Sequence, residues 1–567
     1  MRTSSRVAAV FVFTSIGGVV GGACNQSGGS EWTWMGGDER STFNNTKEKT
    51  LTTNNVGRLG PGWTSTNFGT VNGAPTVVHD VTYVLSNTGL YALDAATGRQ
   101  IWRNADATGT SSPTYNNGWL FVYDGKAMLR AIDAKDGRQI WQVKVDPHPK
   151  ANGFSSPVVF DNYVIVGSSS SDEVTAVDFS DFRGAVVAYN RKTGAQIWRR
   201  YTVEPPFNGA TVWSSVSIDA ELGLVYATNG NNYTGQASET SDSIFALRLN
   251  DGSVAWWTQL YKGDVFTVPN QGSPDYDFGT NPIVFDGTVQ GRRRRLVGAG
   301  QKAGIFWALD RQTGAVVWSR KLSTEGGALI GGIFNNGAFD GRNVIVAANR
   351  ASSTAPGSEP PNGESFAQQP NTAVVFALNP GDGSVVWERQ IPAWVWAPLT
   401  IANGIGFVAF ENQLQAFNVA TGAKLFNYTT NGTITSAPVV ADGAVFFGSG
   451  LSYFVGKSDR TLHSLVLDGR NYQPDAGADD GGTDSGPPLP PTFTAVYQQV
   501  LTATSCSGPL CHGGGVGNFS ITSQPETYAS LVGVAASGPA CSTSGLTRVV
   551  PGDPEASLLY NKIANRP

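Results

Sequence analysis

The sequence predicts an all-β fold of repeated four-stranded units, followed by a small, mainly α-helical domain. One phrase recurs along most of the chain, and glycine and tryptophan are abundant, with 69 and 15 copies among 567 residues. Apolar residues make up 40% and charged residues only 15%, so the chain can bury a large core. These observations lead us to expect an eight-bladed β-propeller over residues 31–470.

The recurring phrase alternates apolar and polar residues, breaks at a D/N-x-x-T/D-G turn and resumes to a tryptophan. This pattern is typical of a hairpin in which glycine supplies a positive φ and the Asp or Asn side chain binds the local backbone. Short apolar runs between the copies add two more strands to each unit. The copies lie at 90–102, 129–141, 186–198, 244–256, 306–318 and 375–387, with weaker ones at 413–426 and 461–469.

Eight such units predict eight sheets stacked radially around an axis. The degenerate last copy and the early segment "GPGWTSTNFG" (60–69) are expected to share one blade and close the ring. The tryptophans that end the repeats are expected to pack between blades.

The N-terminus has the features of a secretory signal. Arg2 and Arg6 precede a short apolar run and small residues, which predicts a signal peptide over 1–23 and export to the periplasm or cell envelope. Cys24 follows three small residues, which fits membrane attachment through a lipid on Cys24, with ordinary cleavage as the alternative. The net charge of −5 argues against a nucleic-acid partner.

The candidate site lies between the repeats. The third to sixth units carry long connections, and long loops on a rigid scaffold commonly hold binding sites. Four polar segments occur there: 167–184, 209–233, 273–282 and 298–310. They supply carboxylates and amides, which suit Ca²⁺, together with a lysine and a tryptophan, which suit a flat polycarboxylate cofactor.

The repeats and these segments resemble the quinoprotein alcohol dehydrogenases that carry the pyrroloquinoline quinone (PQQ) repeat, especially the shorter polyvinyl-alcohol dehydrogenases. The similarity includes "WTWMGGDERSTFNN", "FRGAVVAYNRKTG" and "GGALIGGI". It implies oxidation of a small or polymeric alcohol with PQQ and Ca²⁺. Because many proteins carry the repeat without a quinone, a non-catalytic scaffold that assembles or binds envelope proteins is the alternative.

The resemblance also implies roles for individual residues. Asp277 in "YDF" corresponds to the general base, with Asp275 as the alternative. Glu173 in "SSDE" corresponds to an acidic calcium ligand, with Asp172 as the alternative. The implied PQQ contacts are Trp213, Lys302 and Trp396, and the implied calcium ligands are Glu173, Asn231 and Asp277. Larger members of the group carry adjacent cysteines beside the quinone, whereas residues 31–470 contain no cysteine.

The chain changes character after the last repeat. Asp, Gly and Pro dominate 471–491, which predicts a flexible linker. The tail, 492–567, resembles small cytochrome-c-like modules fused to exported enzymes. This resemblance implies a haem c bound covalently through Cys506 and Cys511, with His512 as an iron ligand.

The haem prediction has an alternative, because four residues separate the two cysteines where two are usual. A disulfide, Cys506–Cys511 or Cys506–Cys541, would also suit an oxidising compartment. No methionine follows the motif, so either the domain is truncated or its iron lacks the usual His/Met ligand pair, and we expect an iron that is five-coordinate or weakly ligated by another group. With haem present, electrons from the quinone would pass through it to a cytochrome or another respiratory component.

Overall fold

The computed structural model describes seven stretches of the chain, and their regular structure is almost entirely β-strand. A short 3₁₀ helix lies at Val56–Arg58. None of the helices in these stretches has the length and apolar character needed to cross a membrane. The described residues are 30–172, 181–233, 236–267, 273–323, 331–350, 372–450 and 459–469.

The strands form eight sheets. Two strands precede the first repeat: β1 (Asn44–Asn45) and β2 (Leu59–Ser65). Blade 1 is β3 (Thr76–Val78), β4 (Val81–Ser86), β5 (Gly89–Asp94) and β6 (Gln100–Asn104). Blade 2 is β7 (Thr114–Asn116), β8 (Trp119–Tyr123), β9 (Met128–Asp133) and β10 (Gln139–Lys144). Blade 3 is β11 (Ala151–Asn152), β12 (Val158–Phe160), β13 (Tyr163–Ser170), β14 (Ala185–Asn190) and β15 (Gln196–Tyr201). Blade 4 is β16 (Ser217–Asp219), β17 (Leu224–Thr228), β18 (Ser243–Arg248) and β19 (Val254–Gln259).

The second half repeats this arrangement. Blade 5 is β20 (Ile283–Val289), β21 (Arg292–Gln301), β22 (Ile305–Asp310) and β23 (Val316–Lys321). Blade 6 is β24 (Ala338–Phe339), β25 (Val344–Arg350), β26 (Thr372–Leu378) and β27 (Val385–Ile391). Blade 7 is β28 (Thr400–Ala402), β29 (Ile405–Phe410), β30 (Gln413–Asn418) and β31 (Lys424–Thr429). Blade 8 is β32 (Val439–Ala441), β33 (Ala444–Ser449) and β34 (Thr461–Leu467), completed by β2.

Blade 8 joins the two ends of the propeller. β2 pairs antiparallel with β34, in a register that runs from Leu59 opposite Leu467 to Ser65 opposite Leu462. The ring is therefore closed by a ladder of backbone hydrogen bonds between segments about 400 residues apart. The prediction of eight blades, with the early segment and the last repeat sharing one, is confirmed.

The repeat-ending tryptophans fasten each blade to the next. Each indole N–H donates to a backbone carbonyl in the turn between the two outer strands of the following blade. The pairs, at 2.9–3.1 Å, are Trp63–Ala95, Trp102–Ala134, Trp141–Arg191, Trp198–Leu249, Trp256–Arg311, Trp318–Pro380 and Trp387–Val419. Their predicted role in packing between blades is confirmed.

The turn glycines are required for this contact as well as for the turn. Gly252 has a φ of 68°, and a Cβ placed on it would lie 2.5 Å from the Trp198 ring. Phe426 ends the seventh blade's repeat in place of a tryptophan. Because the outer strands of blade 8 come from opposite ends of the propeller, no hairpin turn there offers the carbonyl that an indole would use.

An N-terminal segment, 32–43, runs around the innermost strands. No pattern in the sequence predicted this path. Its backbone bonds to six blades in order: Trp32 to Val77 (2.9 Å), Thr33 to Tyr115 (2.9 Å), Glu39 to Ile218 (2.7 Å), Arg40 to Val284 (3.0 Å), Thr42 to Phe339 (2.9 Å) and Phe43 to Ile401 (2.8 Å). The segment therefore covers the axis of the propeller, and its Met35 side chain lines the central cavity.

Candidate active site

The central cavity is built from equivalent positions in successive blades. Its volume is about 210 Å³. The residue two places before each innermost strand lines it, and many of these residues are small and polar: Ala74, Ser112, Ser156, Ser215, Asn281, Asn336, Pro398 and Ala437.

A chain of hydrogen bonds joins these positions from blade to blade. The Ser112 hydroxyl accepts from the Ala74 N–H at 2.7 Å, and the Ser156 hydroxyl accepts from the Ser112 N–H at 2.9 Å. Three more bonds follow the same pattern. The Ser215 hydroxyl accepts from the Ser156 N–H at 2.8 Å, the Asn281 amide oxygen accepts from the Ser215 N–H at 2.8 Å, and the Asn336 amide oxygen accepts from the Asn281 N–H at 2.6 Å. Sequence reasoning missed this ring, although Ser-Pro and Asn-Pro pairs just before the innermost strands were available as a signal.

Aromatic side chains form one wall of the cavity. The Trp213 and Phe334 rings lie 6.2 Å apart at 40°, and the Phe334 and Trp396 rings lie 5.7 Å apart at 90°. Gly279 makes room for this wall, since a Cβ there would come within 2.4 Å of the Trp213 ring. Both tryptophans predicted to contact PQQ thus line the same cavity, and Phe334, which sequence reasoning missed, lies between them.

Next to Trp213 is a buried cluster of charged groups. The Lys302 ammonium lies 3.0 Å from both carboxylate oxygens of Asp275 and 2.7 Å from Oδ1 of Asp277. The Trp213 indole N–H donates to Oδ2 of Asp277 at 3.1 Å, and the Lys302 ammonium lies 5.4 Å from the centre of the Trp213 ring. The Lys302 side chain is only 3% exposed. The structure therefore brings together three predicted site residues and the alternative base.

Local geometry sets these positions. Lys302 follows the last residue of β21, and its backbone N–H donates to the Asp277 carbonyl at 3.1 Å. Asp275 and Asp277 lie in the connection between β19 and β20, which was predicted to carry site residues. The backbone hydrogen bond therefore joins the end of β21 to this connection and brings the charged side chains together.

A third acidic side chain, Asp264, is buried in this region. Burial raises the pKa of Asp264 to about 7, and the Asp277 carboxylate contributes to the rise, while the Phe266 and Tyr276 N–H groups and the Lys302 ammonium oppose it. The Asp275 and Asp277 carboxylates thus face an ammonium that carries one positive charge, and Asp264 adds a third buried carboxyl group whose raised pKa favours its neutral form. Buried charge costs several kcal/mol per ion unless it is compensated, so the cluster favours an additional cation.

Asn231 offers an oxygen ligand beside this cluster. Its Oδ1 is buried and has no hydrogen-bond partner among the described residues, while its Nδ2 donates to the Phe266 carbonyl at 2.5 Å. The preceding Gly230 packs against Asp277, because a Cβ on it would lie 3.0 Å from Oδ2. An orphaned amide oxygen next to a buried carboxylate fits Ca²⁺, which binds oxygen atoms.

The acidic ligand predicted at Glu173 lies outside the described residues. Its alternative, Asp172, is buried, and its Oδ1 lies 3.1 Å from the Lys150 ammonium. Within the described stretches, no group of three or more His, Cys, Asp or Glu side chains could hold a metal ion. Of the three predicted calcium ligands, Asn231 and Asp277 therefore lie among the described residues, and both are buried. The haem residues Cys506, Cys511 and His512, and Cys24 and Cys541, also lie outside the described residues.

Two family profiles match the chain. The profile for the glucose/ethanol/alcohol dehydrogenase β-propeller domain matches 146–321, and the profile for the outer membrane protein assembly factor BamB matches 37–208 and 371–471. A polyvinylalcohol dehydrogenase from Pseudomonas sp. is 30% identical over 453 residues, which cover 70% of this chain and 68% of that relative.

The chain belongs to the PQQ-repeat quinoprotein alcohol dehydrogenase family.

A second relative agrees with this assignment, and a solved structure shares the fold. A polyvinylalcohol dehydrogenase from Sphingopyxis sp. is 30% identical over 474 residues, or 75% of this chain and 70% of that relative. The solved structure of a quinohemoprotein alcohol dehydrogenase from Pseudomonas putida shares the fold, with a TM-score of 0.66 and 20% identity over 84% of this chain and 86% of that one. The dehydrogenase profile includes the whole charged cluster and Asn231, whereas neither segment matched by the assembly-factor profile contains any of these residues.

Proposed function

We propose that this chain is an exported dehydrogenase that oxidises an alcohol with PQQ and Ca²⁺. The buried contact of Asp277 with Trp213 and Lys302, beside an aromatic cavity, is the observation that supports it most. The donors present fit the cofactors: an indole face suits a flat quinone, hydroxyl and amide groups around the cavity suit its carboxylates, and the Asn231 oxygen suits Ca²⁺. When bound, PQQ and Ca²⁺ would supply the hydride acceptor and a Lewis acid.

The protein's own part in this reaction is to hold and accept a proton. Asp277 is the proposed general base, which takes the proton of the alcohol hydroxyl. The Trp213 N–H and the Lys302 ammonium each engage one of its oxygens, so they orient the carboxylate. The Lys302 ammonium engages both oxygens of Asp275 but only one oxygen of Asp277, which favours Asp277 as the base.

The test is reconstitution of purified protein with PQQ and CaCl₂, followed by dye reduction with an alcohol. We expect Asp277→Asn to bind PQQ but to lose about 10²- to 10⁴-fold in kcat, which is the usual contribution of a general base. Asp275→Asn is the matched variant, and we expect it to retain far more activity. The base assignment would move to Asp275 if the two variants showed the reverse order. Wild-type protein that binds no PQQ would contradict the proposed function itself.

The substrate we propose is a hydroxylated polymer of the polyvinyl-alcohol type. The support is that two relatives named polyvinylalcohol dehydrogenase match 70% and 75% of this chain. The reconstituted enzyme should then reach a higher kcat/KM with polyvinyl alcohol oligomers than with ethanol. A preference for ethanol would instead favour a small alcohol.

For the remainder of the chain, we propose export directed by 1–23, with lipid attachment at Cys24, and electron transfer to a haem on 492–567. The support is the C-x₄-C-H motif of Cys506, Cys511 and His512. Mass spectrometry of protein made in a host that matures c-type cytochromes is the test. A mass without haem and with two oxidised cysteines would show a disulfide in its place.

A scaffold role in the cell envelope is the second candidate. The assembly-factor profile matches residues on both sides of the site and supports this reading. The buried cluster of Asp275, Asp277 and Lys302 argues against it, because binding another protein does not require charged side chains inside the propeller. Failure of the wild-type protein to bind PQQ and Ca²⁺, together with capture of envelope proteins, would favour it.

A further inference from the structure

Asp264 is a buried carboxylate outside the predicted site. It lies in the connection between β19 and β20, ahead of the Asp275-Tyr276-Asp277 segment. Its Oδ1 accepts from the Phe266 N–H at 2.9 Å and from the Ser273 hydroxyl at 3.3 Å. Its Oδ2 accepts from the Tyr276 N–H at 2.5 Å. One carboxylate therefore binds both ends of a loop.

The N-terminal end of this loop is hydrogen-bonded to Asn231. Phe266, whose N–H binds Asp264, accepts from Nδ2 of Asn231 through its carbonyl at 2.5 Å. This contact fixes the amide nitrogen and so determines where the amide oxygen lies. That oxygen is the buried atom without a hydrogen-bond partner among the described residues.

The second end of the loop holds the two aspartates of the charged cluster. Tyr276 stands between Asp275 and Asp277, so a hydrogen bond to its N–H fixes the backbone that carries both carboxylates. Ser273 adds a second connection, because its hydroxyl accepts from the Val265 N–H at 3.0 Å and donates to Asp264. Hydrogen bonds thus join 264–266 to 273–276, on either side of residues that the structure does not describe.

We propose that Asp264 is a positioning residue that sets the distance between the Asn231 amide oxygen and the Asp275 and Asp277 carboxylates, and so determines the affinity of the site for its cation. This inference rests on the proposed function, because the cation is the one proposed there. Both oxygens of Asp264 accept hydrogen bonds from the loop, so Asp264 would hold the site in shape and would not itself bind the cation.

The surroundings of Asp264 are unfavourable for a charged carboxylate, and this supports its role as a positioning residue. Burial disfavours the charged form of Asp264, and the Asp277 carboxylate disfavours it further. Groups held in such unfavourable surroundings concentrate at functional sites. A cation beside the cluster would offset the charge of all three carboxylates and would stabilise the loop that Asp264 holds.

The experiment measures cation binding directly, on protein free of PQQ. Tb³⁺ serves as the probe, with luminescence excited through tryptophan, and CaCl₂ displaces it. We expect Asp264→Asn to weaken Ca²⁺ binding at least tenfold, since an amide nitrogen would face one of the loop N–H groups. In the reconstituted enzyme, the CaCl₂ concentration for half-maximal activity should rise by the same factor, and raising CaCl₂ should restore turnover.

The matched control is Asp38→Asn. Asp38 also accepts two backbone N–H groups, from Arg40 at 3.1 Å and Thr42 at 3.0 Å, and burial likewise raises its pKa, but it belongs to the N-terminal segment. We expect it to leave Ca²⁺ affinity unchanged. Equal loss of affinity in both variants, or wild-type affinity in Asp264→Asn, would overturn the positioning role.

Ser273→Ala provides a milder variant should Asp264→Asn fail to fold. It removes one hydrogen bond to Asp264 and should weaken Ca²⁺ binding about threefold, since one hydrogen bond contributes about 0.5–1.5 kcal/mol. Unchanged affinity would contradict the inference. Wild-type protein that binds neither Tb³⁺ nor Ca²⁺ would contradict the proposed function and this inference together, whereas a binding-competent wild type with unaffected variants would contradict this inference alone.

Discussion

Replacement of Lys302 by methionine would remove the positive charge from the buried cluster while keeping most of the side-chain volume. The ammonium has three carboxylate oxygens within 3.0 Å, two from Asp275 and one from Asp277, and its side chain is 3% exposed. Loss of one partner from a buried ion pair costs about 3–5 kcal/mol, because the remaining charges stay buried without compensation. We expect Lys302→Met to lower the free energy of unfolding by this amount in EDTA.

Calcium should reverse part of this loss. The variant leaves a more negative cluster, which should bind Ca²⁺ more tightly than the wild-type cluster does. A ligand at 100 times its Kd stabilises the folded state by about 2.7 kcal/mol, so saturating CaCl₂ should recover a large share of the deficit. Urea unfolding followed by tryptophan fluorescence, in EDTA and in CaCl₂, measures both effects.

Lys49→Met is the matched control for this experiment. The Lys49 ammonium is exposed and donates to the Thr46 carbonyl at 2.8 Å, so its removal leaves no charge buried. Substitution of an exposed residue usually changes stability by no more than about 0.5 kcal/mol, and we expect no larger change for this variant. If Lys302→Met unfolded at the same urea concentration as Lys49→Met, or gained nothing from CaCl₂, the buried cluster of Asp275, Asp277 and Lys302 would not be a site that attracts a cation.

Two further predictions concern the scaffold. Burial lowers the pKa of His463 to about 4, with the Asp459 carboxylate opposing the shift, and its ordinary value is about 6.5. The unfolded chain therefore binds this proton at a higher pH than the folded chain does, so the free energy of unfolding should fall by about 3 kcal/mol as the pH drops from 6.5 to 4. The variant His463→Gln can still bond the Ser449 hydroxyl, and its unfolding free energy should lack this dependence on pH. Trp256→Phe keeps an aromatic ring but loses the hydrogen bond to the Arg311 carbonyl, so it should lower the free energy of unfolding by about 1 kcal/mol. Trp256→Ala also removes the packed ring and should lower it by about 3–5 kcal/mol. Equal shifts of the melting temperature for the two variants would contradict this separation of hydrogen bond and packing.

The sequence by itself determined the blades and the residues that join them. The repeat, its turn glycines and its terminal tryptophans are local patterns, and each needs only the neighbouring copy to take effect. Gly252 and Trp198 meet because every blade places the same turn against the same ring. Even the closing blade followed from the pattern, since one incomplete repeat remained at each end. The resemblance also led to Trp213, Asn231, Asp277 and Lys302, because these residues lie in short recognisable motifs.

Only the tertiary structure decided how those residues act together. Asp264 resembles any loop aspartate in the sequence, and its role appears only when Phe266, Tyr276 and Asn231 are seen around it. Phe334 comes next to Trp213 because two different blades converge on the axis. The path of 32–43 across the innermost strands depends on six blades already being in place. Contacts of this kind join residues far apart in the chain, and their geometry follows from closure of the ring, which no local pattern records.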